Sequence, residues 1–362
     1  MSAGPIMIMA GGTGGHVFPG LAVAEVLRAH SHGVVWLGTE RGLESRLVPE
    51  HGIDIEWISI AGIRGRGALA WLAAPFRILR AILQVLGTLR RRRPAAVLGM
   101  GGFVAGPGGI AAWLSRRPLL IHEQNAVAGT TNRWLSRFAT QVFEAFPHSF
   151  PGRVEARCIG NPVRAAIAAL AAPGERMRGA AERPARVLVL GGSQGARVLN
   201  RTVPAAIAQL ARAERPEIRH QTGAGLDEAR SNYAQAGVTA QLESFIEDMA
   251  SAYAWADLVV ARAGALTIAE LAACGVGAVL IPYPYAIDDH QTKNASHFVA
   301  DGAGIVIAEA ELTADRLAAA LKELLGDRAV LLRMAESARL QAKPNAAEEL
   351  AMACLDLAGL RP

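Results

Sequence analysis

Short apolar runs recur along the chain, separated by longer stretches in which apolar residues return every three or four positions. In the first half the runs are Ile6–Ala10, Val34–Leu37, Ile55–Ile60, Ala96–Gly99 and Leu119–Ile121. In the second they are Val187–Leu190, Ile218–Gln221, Leu258–Ala261 and Ala278–Ile281. Helical spacing covers the stretch to about Ala29, Leu43–His51, residues 69–93, and the stretches to about Ala213 and to Gln235. This strand and helix alternation predicts an α/β chain with parallel sheets. Beyond about Thr313 the chain reads as alanine-rich helices, the last of which is expected to pack back on the first domain.

Two runs open alike. Ile6–Ala10 leads into Gly11-Gly12-Thr13-Gly14-Gly15-His16, and Arg186–Leu190 into Gly191-Gly192-Ser193-Gln194-Gly195-Ala196, with Gly191 lying 180 residues after Gly11. Glycines let the backbone approach a ligand, and the amides of the following helix terminus point at negative charge there. Two such openings, each followed by a domain's length of chain, predict two Rossmann-like halves facing one cleft. The alternative is a nicotinamide enzyme, with Glu40 as the ribose-binding acid. Its Gly-x-Gly-x-x-Gly fingerprint requires glycine where Val17 and Ser193 stand.

The stretch 69–93 carries two apolar stripes about 100° apart: Leu72, Phe76, Leu79, Leu83 and Leu86, and then Ile78, Ile82, Val85 and Leu89. Arg77, Arg80 and Gln84 fill the remaining face. One stripe can serve the core. The other, expected to include Ile78, Ile82 and Val85 beside Arg77 and Arg80, would lie on an anionic bilayer, with Trp71 and Trp113 nearby in sequence.

Charge supports that reading. From Trp57 to His122 there is no acidic residue but there are ten arginines, although the whole chain balances 37 basic against 32 acidic residues. Nucleic acid is not expected, because the residues between these arginines are aliphatic rather than stacking aromatics. With 362 residues, 51% of them hydrophobic, the chain can form two full cores. The three cysteines, Cys158, Cys274 and Cys354, are widely spaced and suggest neither a disulfide framework nor a metal knuckle. Ile6–Ala10 runs directly into glycines, unlike a secretory leader, and no apolar stretch reaches the ~20 residues of a membrane span. A cytoplasmic protein with peripheral membrane contact is expected.

Further candidate chemistry lies at strand ends. Gly99-Met100-Gly101-Gly102 is a third glycine turn, and His122-Glu123-Gln124-Asn125 places four polar residues at a strand's carboxyl edge, more often a sign of function than of packing. Gly160-Asn161-Pro162-Val163-Arg164 marks the expected hinge. Arg262-Ala263-Gly264-Ala265-Leu266-Thr267 repeats the strand, turn and helix-start device, with Glu270 expected in the first helical turn, where its two oxygens could accept both hydroxyls of a ribose. Pro282-Tyr283-Pro284-Tyr285 then delivers His290-Gln291 at a polar helix start.

Taken together and in order, these motifs resemble the MurG family of bacterial N-acetylglucosaminyltransferases over nearly the whole chain. The resemblance implies the GT-B fold: residues 1–162 as an acceptor-binding, membrane-associating Rossmann-like domain, with a helix at about 343–362 packing back on it, and residues 163–342 as the UDP-GlcNAc-binding one. It implies UDP-GlcNAc contacts at Thr13, Gly14, Gly15, Asn125, Arg164, Ser193, Ile246, Ala265, Leu266, Thr267, Ile268, Ala269, Glu270 and Gln291. Gly14, Gly101, Gly102 and His122 are expected at the acceptor diphosphate. The activity implied is inverting transfer of GlcNAc to the 4-hydroxyl of MurNAc-pentapeptide-pyrophosphoryl-undecaprenol, lipid I, to give lipid II at the cytoplasmic face of the bacterial inner membrane. The resemblance also implies cell-wall synthesis proteins as partners.

His16 is the candidate base, since a neutral imidazole beside a positive helix terminus can accept a proton. If His16 only shapes the loop, Glu123 or another carboxylate takes that role. Negative charge on departing UDP would be met by Arg164 and the amides around Ser193 and Ala265. No cofactor and no metal are expected, the chain having no Asp-x-Asp triplet. The competing readings are another GT-B enzyme such as a UDP-GlcNAc epimerase, and a non-catalytic membrane scaffold.

Overall fold

Ile6–Ala10 forms β1, with every side chain buried. A strand apolar on both faces belongs in the middle of a parallel sheet covered by helices on two sides. Around it stand β2 (Val34–Gly38), β3 (Asp54–Trp57), β4 (Ala96–Gly101), β5 (Leu119–Glu123), β6 (Gln141–Glu144) and β7 (Ala156–Cys158). They form one parallel sheet in the order β3-β2-β1-β4-β5-β6-β7. The connecting helices are α1 (Gly14–Ala29), α2 (Glu44–Glu50), α3 (Ala74–Arg92), α4 (Gly102–Leu114) and α5 (Thr130–Leu135). The order reverses between β1 and β4, which opens a crevice at the carboxyl ends of those two strands.

The structure is a computed structural model that describes residues 4–60, 74–152, 154–192 and 195–360. Arg64, Arg66, Trp71, Leu72, Ser193 and Gln194 lie outside the described residues. The chain divides into two compact units, Met1–Arg164 with Pro344–Pro362, and Ala165–Lys343.

Helix α3 settles which apolar stripe meets the core, and the expected assignment is reversed. Val85 is fully buried and Leu89 nearly so, with Ile82 packed against the same core, whereas Phe76, Leu79 and Leu83 are 77%, 54% and 60% exposed. Val85 and Ile82 therefore cannot form a membrane patch, and Ile78 is only half-buried beside them. The small or branched residues Ala81, Val85 and Thr88 lie on the buried side of α3, which packs on α4. Phe76, Leu79 and Leu83 of the other stripe are left outward, together with exposed Arg77 and Arg80, while Leu86 packs against the core.

The second unit repeats the scheme with β8 (Arg186–Leu190), β9 (Glu217–Gln221), β10 (Gln241–Glu243), β11 (Leu258–Ala261), β12 (Gly277–Leu280) and β13 (Gly304–Val306). Its parallel order is β10-β9-β8-β11-β12-β13, with the reversal between β8 and β11. The principal helices are α6 (Arg197–Ala208), α7 (Leu226–Gln235), α8 (Met249–Trp255), α9 (Ala265–Cys274), α10 (His290–Val299), α11 (Ala314–Gly326) and α12 (Arg328–Leu340). Buried Asp257, just before β11, ties this unit together. Its carboxylate accepts from both terminal nitrogens of Arg183 at 2.7 and 2.8 Å, from Arg328 at 3.0 Å and from the Arg186 amide at 2.9 Å.

The last helix, α13 (Ala346–Ala358), belongs to the first unit. Leu350, Ala351, Cys354 and Leu355 join the core built on β1 and α1. Pairs of His30 with Glu348 at 3.0 Å and Arg157 with Glu349 at 2.9 Å flank that contact.

Candidate active site

In the first unit the turns after β1 and β4 meet at the reversal of strand order. Gly101 has φ 107° and ψ −168°, a region open essentially to glycine alone. A Cβ there would lie 2.8 Å from both Cε1 and Nδ1 of His16, and one on Gly102 would collide with the Gly11 carbonyl oxygen. The two turns thus touch backbone to backbone, and the imidazole of His16 occupies the space beside Gly101.

His16 is the third residue of α1. The Thr13 carbonyl accepts from the amides of His16 and Val17 at 3.1 and 3.2 Å, so the amides of Gly14 and Gly15 precede the first helical bond. Thr13 itself is exposed and makes no side-chain cap. Beneath the turn, fully buried Glu44 accepts from the Gly12 amide at 2.9 Å and from the amide and hydroxyl of Thr39 at 3.0 and 2.7 Å. Nothing in the sequence marks Glu44 except its position at a helix start.

The His16 Nδ1 lies 3.0 Å from the Met100 carbonyl oxygen and 2.9 Å from Gln124 Oε1. Both partners accept, so Nδ1 carries a hydrogen, and in the ring with a single N–H the lone pair is on Nε2. Arg164 places its guanidinium 4.8 Å over the ring of Phe18, one turn along from the glycines of α1.

The segment after β5 is polar but internally bonded. Buried Glu123 accepts from the amide and side chain of Asn125 at 3.0 and 3.2 Å, from the Gly129 amide at 3.1 Å and from Asn132 at 2.8 Å. His122 is fully buried, its Nε2 2.9 Å from the Gly160 carbonyl oxygen and its Nδ1 3.1 Å from Gln124 Nε2. Burial drives its pKa from 6.5 down to about 4, against the pull of the Gly160 carbonyl, so it is neutral at physiological pH.

In the second unit the turns after β8 and β11 follow the two strands between which its strand order reverses. The first helical bond of α9 runs from the Ile268 amide to the Gly264 carbonyl at 3.0 Å, which leaves the amides of Leu266 and Thr267 ahead of it. Gly191 and Gly192 follow β8 directly. Gln291, at the start of α10, accepts from the Tyr283 amide at 2.9 Å and so pins the Tyr283–Tyr285 loop. Each crevice thus offers helix-terminal donors, and the first adds the imidazole of His16.

Two family models cover most of the chain: the glycosyltransferase family 28 N-terminal domain over residues 6–144 and the family 28 C-terminal domain over residues 186–350. A protein of Alkalilimnicola ehrlichii named UDP-N-acetylglucosamine--N-acetylmuramyl-(pentapeptide) pyrophosphoryl-undecaprenol N-acetylglucosamine transferase is 58% identical over 97% of this chain and 98% of its own length. The crystal structure of Acinetobacter baumannii MurG superposes with a TM-score of 0.83 at 42% identity, covering 98% of this chain and 99% of that one. The chain belongs to the MurG family. It is therefore a glycosyltransferase with two Rossmann-like domains. Another relative with the same name, from Nitrosococcus oceani, is 54% identical over 98% of each chain. A UDP-GlcNAc 2-epimerase from Neisseria meningitidis has a TM-score of 0.67 at 13% identity, a likeness of fold alone.

Against the residues expected from the MurG resemblance, the structure brings His16, Gly14, Gly15, Gly101 and Gly102 together at one crevice and makes three corrections. His122 is buried with both ring nitrogens engaged, so it cannot reach an acceptor diphosphate. Glu123 has both oxygens taken up by local donors, which removes it as a base and makes it the organiser of residues 125–132. Glu270 lies in the second turn of α9, not the first; it is buried, and its Oε2 accepts from Tyr253 at 3.0 Å. Ile268 and Ile246 have buried side chains, and the Ile268 amide bonds to the Gly264 carbonyl within α9. Gln124, named in the motif without a role, proves to be the side chain in contact with His16.

Proposed function

We propose that this chain transfers N-acetylglucosamine from UDP-N-acetylglucosamine to the 4-hydroxyl of the muramyl sugar of undecaprenyl-linked lipid I, giving lipid II. The observation that carries the reading is His16 at the head of α1 with Nδ1 held by two acceptors and Nε2 left as a base. As the acceptor oxygen bonds to the anomeric carbon, Nε2 takes the hydroxyl proton. The bond from that carbon to the β-phosphate oxygen breaks, and its electron pair leaves on UDP. Attack opposite the leaving group inverts α to β.

In this reading unit 1 binds the acceptor, with Gly14, Gly15, Gly101 and Gly102 offering close backbone approach to its diphosphate. Unit 2 binds the nucleotide sugar through the amides of Leu266 and Thr267, Gln291 and the turn that includes Ser193. Such preorganised donors stabilise charge that develops on the leaving group. Glu270, positioned by Tyr253, supplies the carboxylate for a ribose hydroxyl. Arg164, at the end of unit 1, adds positive charge for the diphosphate.

The undecaprenyl acceptor requires a membrane surface, and α3 offers one. Among the described residues no helix is long and apolar enough to cross a membrane. Phe76, Leu79 and Leu83 instead form an exposed stripe beside Arg77 and Arg80, a combination suited to an anionic interface. Helices that join parallel strands begin at the carboxyl edge of the sheet, so the Phe76 end of α3 lies at the same edge as the glycine turns. In this reading attachment is peripheral, at the cytoplasmic face, and next to the acceptor-binding end of unit 1.

The test is release of UDP from UDP-N-acetylglucosamine with and without a lipid I analogue. Release that requires the acceptor, with a β-linked disaccharide as product, is the expected result. UDP release or change of the sugar without acceptor would instead indicate epimerase chemistry.

A further inference from the structure

We propose that His122 and Gln124 are positioning residues that hold His16 in the tautomer with its lone pair on Nε2. This rests on the reading of His16 as the base. The chain of contacts starts at a fixed acceptor. The Gly160 carbonyl can only accept, so the His122 nitrogen 2.9 Å away, Nε2, is the one that carries hydrogen. Because burial keeps His122 neutral, its Nδ1 must then be an acceptor.

That acceptor decides which way the Gln124 amide faces. Gln124 Nε2 lies 3.1 Å from His122 Nδ1 and 3.2 Å from the His122 carbonyl oxygen, so both of its hydrogens have acceptors. Its Oε1 consequently turns to His16 Nδ1 at 2.9 Å. The opposite amide orientation would set two donors against His16 Nδ1–H and leave His122 Nδ1 facing an oxygen. Buried Asn161 braces the same segment by donating to the Gln124 carbonyl oxygen at 3.0 Å.

When His16 accepts a proton, its Nδ1–H faces two neutral oxygens, those of Met100 and Gln124, which stabilise the imidazolium without adding an ionised partner. His122 takes no proton in the step. The chain transmits orientation, which suits a base that must return to the same tautomer after each turnover.

The first measurement is nitrogen NMR of the free protein labelled at histidine, with His16 identified by the signal lost in His16→Ala. The expected wild-type signal is that of Nδ1–H with unprotonated Nε2. In Gln124→Leu, where the Met100 carbonyl is the acceptor that remains for Nδ1, the expected result is a measurable share of the Nε2–H tautomer and a kcat lowered roughly 10- to 100-fold, no more than the roughly 10²- to 10⁴-fold contribution of a general base. The KM for UDP-N-acetylglucosamine should stay within about twofold of wild type, as expected for loss of an orienting contact rather than of binding.

Two substitutions at His122 separate its nitrogens. Asn in His122→Asn keeps an acceptor near the Nδ1 position, whereas Gln in His122→Gln keeps only a donor near the Nε2 position. His122→Asn should turn over at least about fivefold faster than His122→Gln, the conservative geometry rescuing the base. An Nε2–H tautomer for His16 in the wild type overturns the inference whether or not any variant folds. So does an unchanged tautomer and kcat in folded Gln124→Leu. Failure of the wild type to transfer sugar would reject the reading of His16 as a base but leave the tautomer measurement standing.

Discussion

Replacing Gly101 by alanine loads the site at one atom. The residue sits at φ 107° and ψ −168°, where a non-glycine residue costs about 1–3 kcal/mol. For a unit of this size that lowers the melting temperature by roughly 2–4 °C for each kcal/mol. The new Cβ would also lie 2.8 Å from His16 Nδ1 and Cε1, against 3.4 Å for ordinary contact, so ring or turn must move by about 0.6 Å. The ring cannot withdraw that far and keep its bonds to Met100 and Gln124 at 3.0 and 2.9 Å. With roughly 10²-fold lost for a 1 Å misplacement, a loss of about tenfold or more in kcat is expected. Thermal unfolding and sugar transfer, the latter at saturating donor, measure the two effects separately. Gly87 on α3, where an added methyl would meet nothing within 4 Å, is the control: Gly87→Ala should stabilise by about 0.5–1 kcal/mol and leave transfer unchanged. Wild-type stability and turnover in Gly101→Ala would refute the claim that this glycine makes room for the base.

Leu79→Glu with Leu83→Glu should weaken binding to anionic vesicles by more than about tenfold while leaving the melting temperature within about 2 °C, since both side chains are exposed; unchanged cosedimentation would rule the stripe out. Asp257→Ala should destabilise the second unit by about 3 kcal/mol, because Arg183 and Arg328 lose a buried partner; urea unfolding gives the value. His122 makes stability depend on pH. Its folded pKa lies below the unfolded 6.5, at about 4, so the unfolded chain binds the extra proton in that window. The contribution, about 3 kcal/mol, is complete above pH 6.5 and is lost as pH falls through 6.5 to about 4. A His122→Asn variant should show a shallower loss of stability across that range.

The sheet interiors were legible in the sequence because they are continuous apolar runs, as in Ile6–Ala10 and Val187–Leu190. Strands β6, β7, β10 and β13, at or next to a sheet edge, were not. β7 is Ala-Arg-Cys and β10 is Gln-Leu-Glu, three residues each, with no apolar pattern to distinguish them from loops. In α3 two stripes of equal apolarity were visible, but periodicity says nothing about which one a neighbour can approach. The choice went to the side carrying Ala81 and Thr88, where smaller side chains lie against α4. The polar tetrad His122–Asn125 was legible as a segment, but the surroundings of its individual residues were not. Its first two members are consumed by local hydrogen bonds, and the third faces His16. Glu44 could not be found at all, since its contact with Gly12 spans 32 residues and belongs to no motif.

The most direct test of the account is transfer of labelled N-acetylglucosamine to a lipid I analogue by the wild type and by His16→Ala, with UDP binding measured on both. Transfer by the wild type that collapses by roughly 10²-fold or more in the variant, with UDP affinity retained, is the predicted result. Full activity in His16→Ala would contradict it and move the base elsewhere.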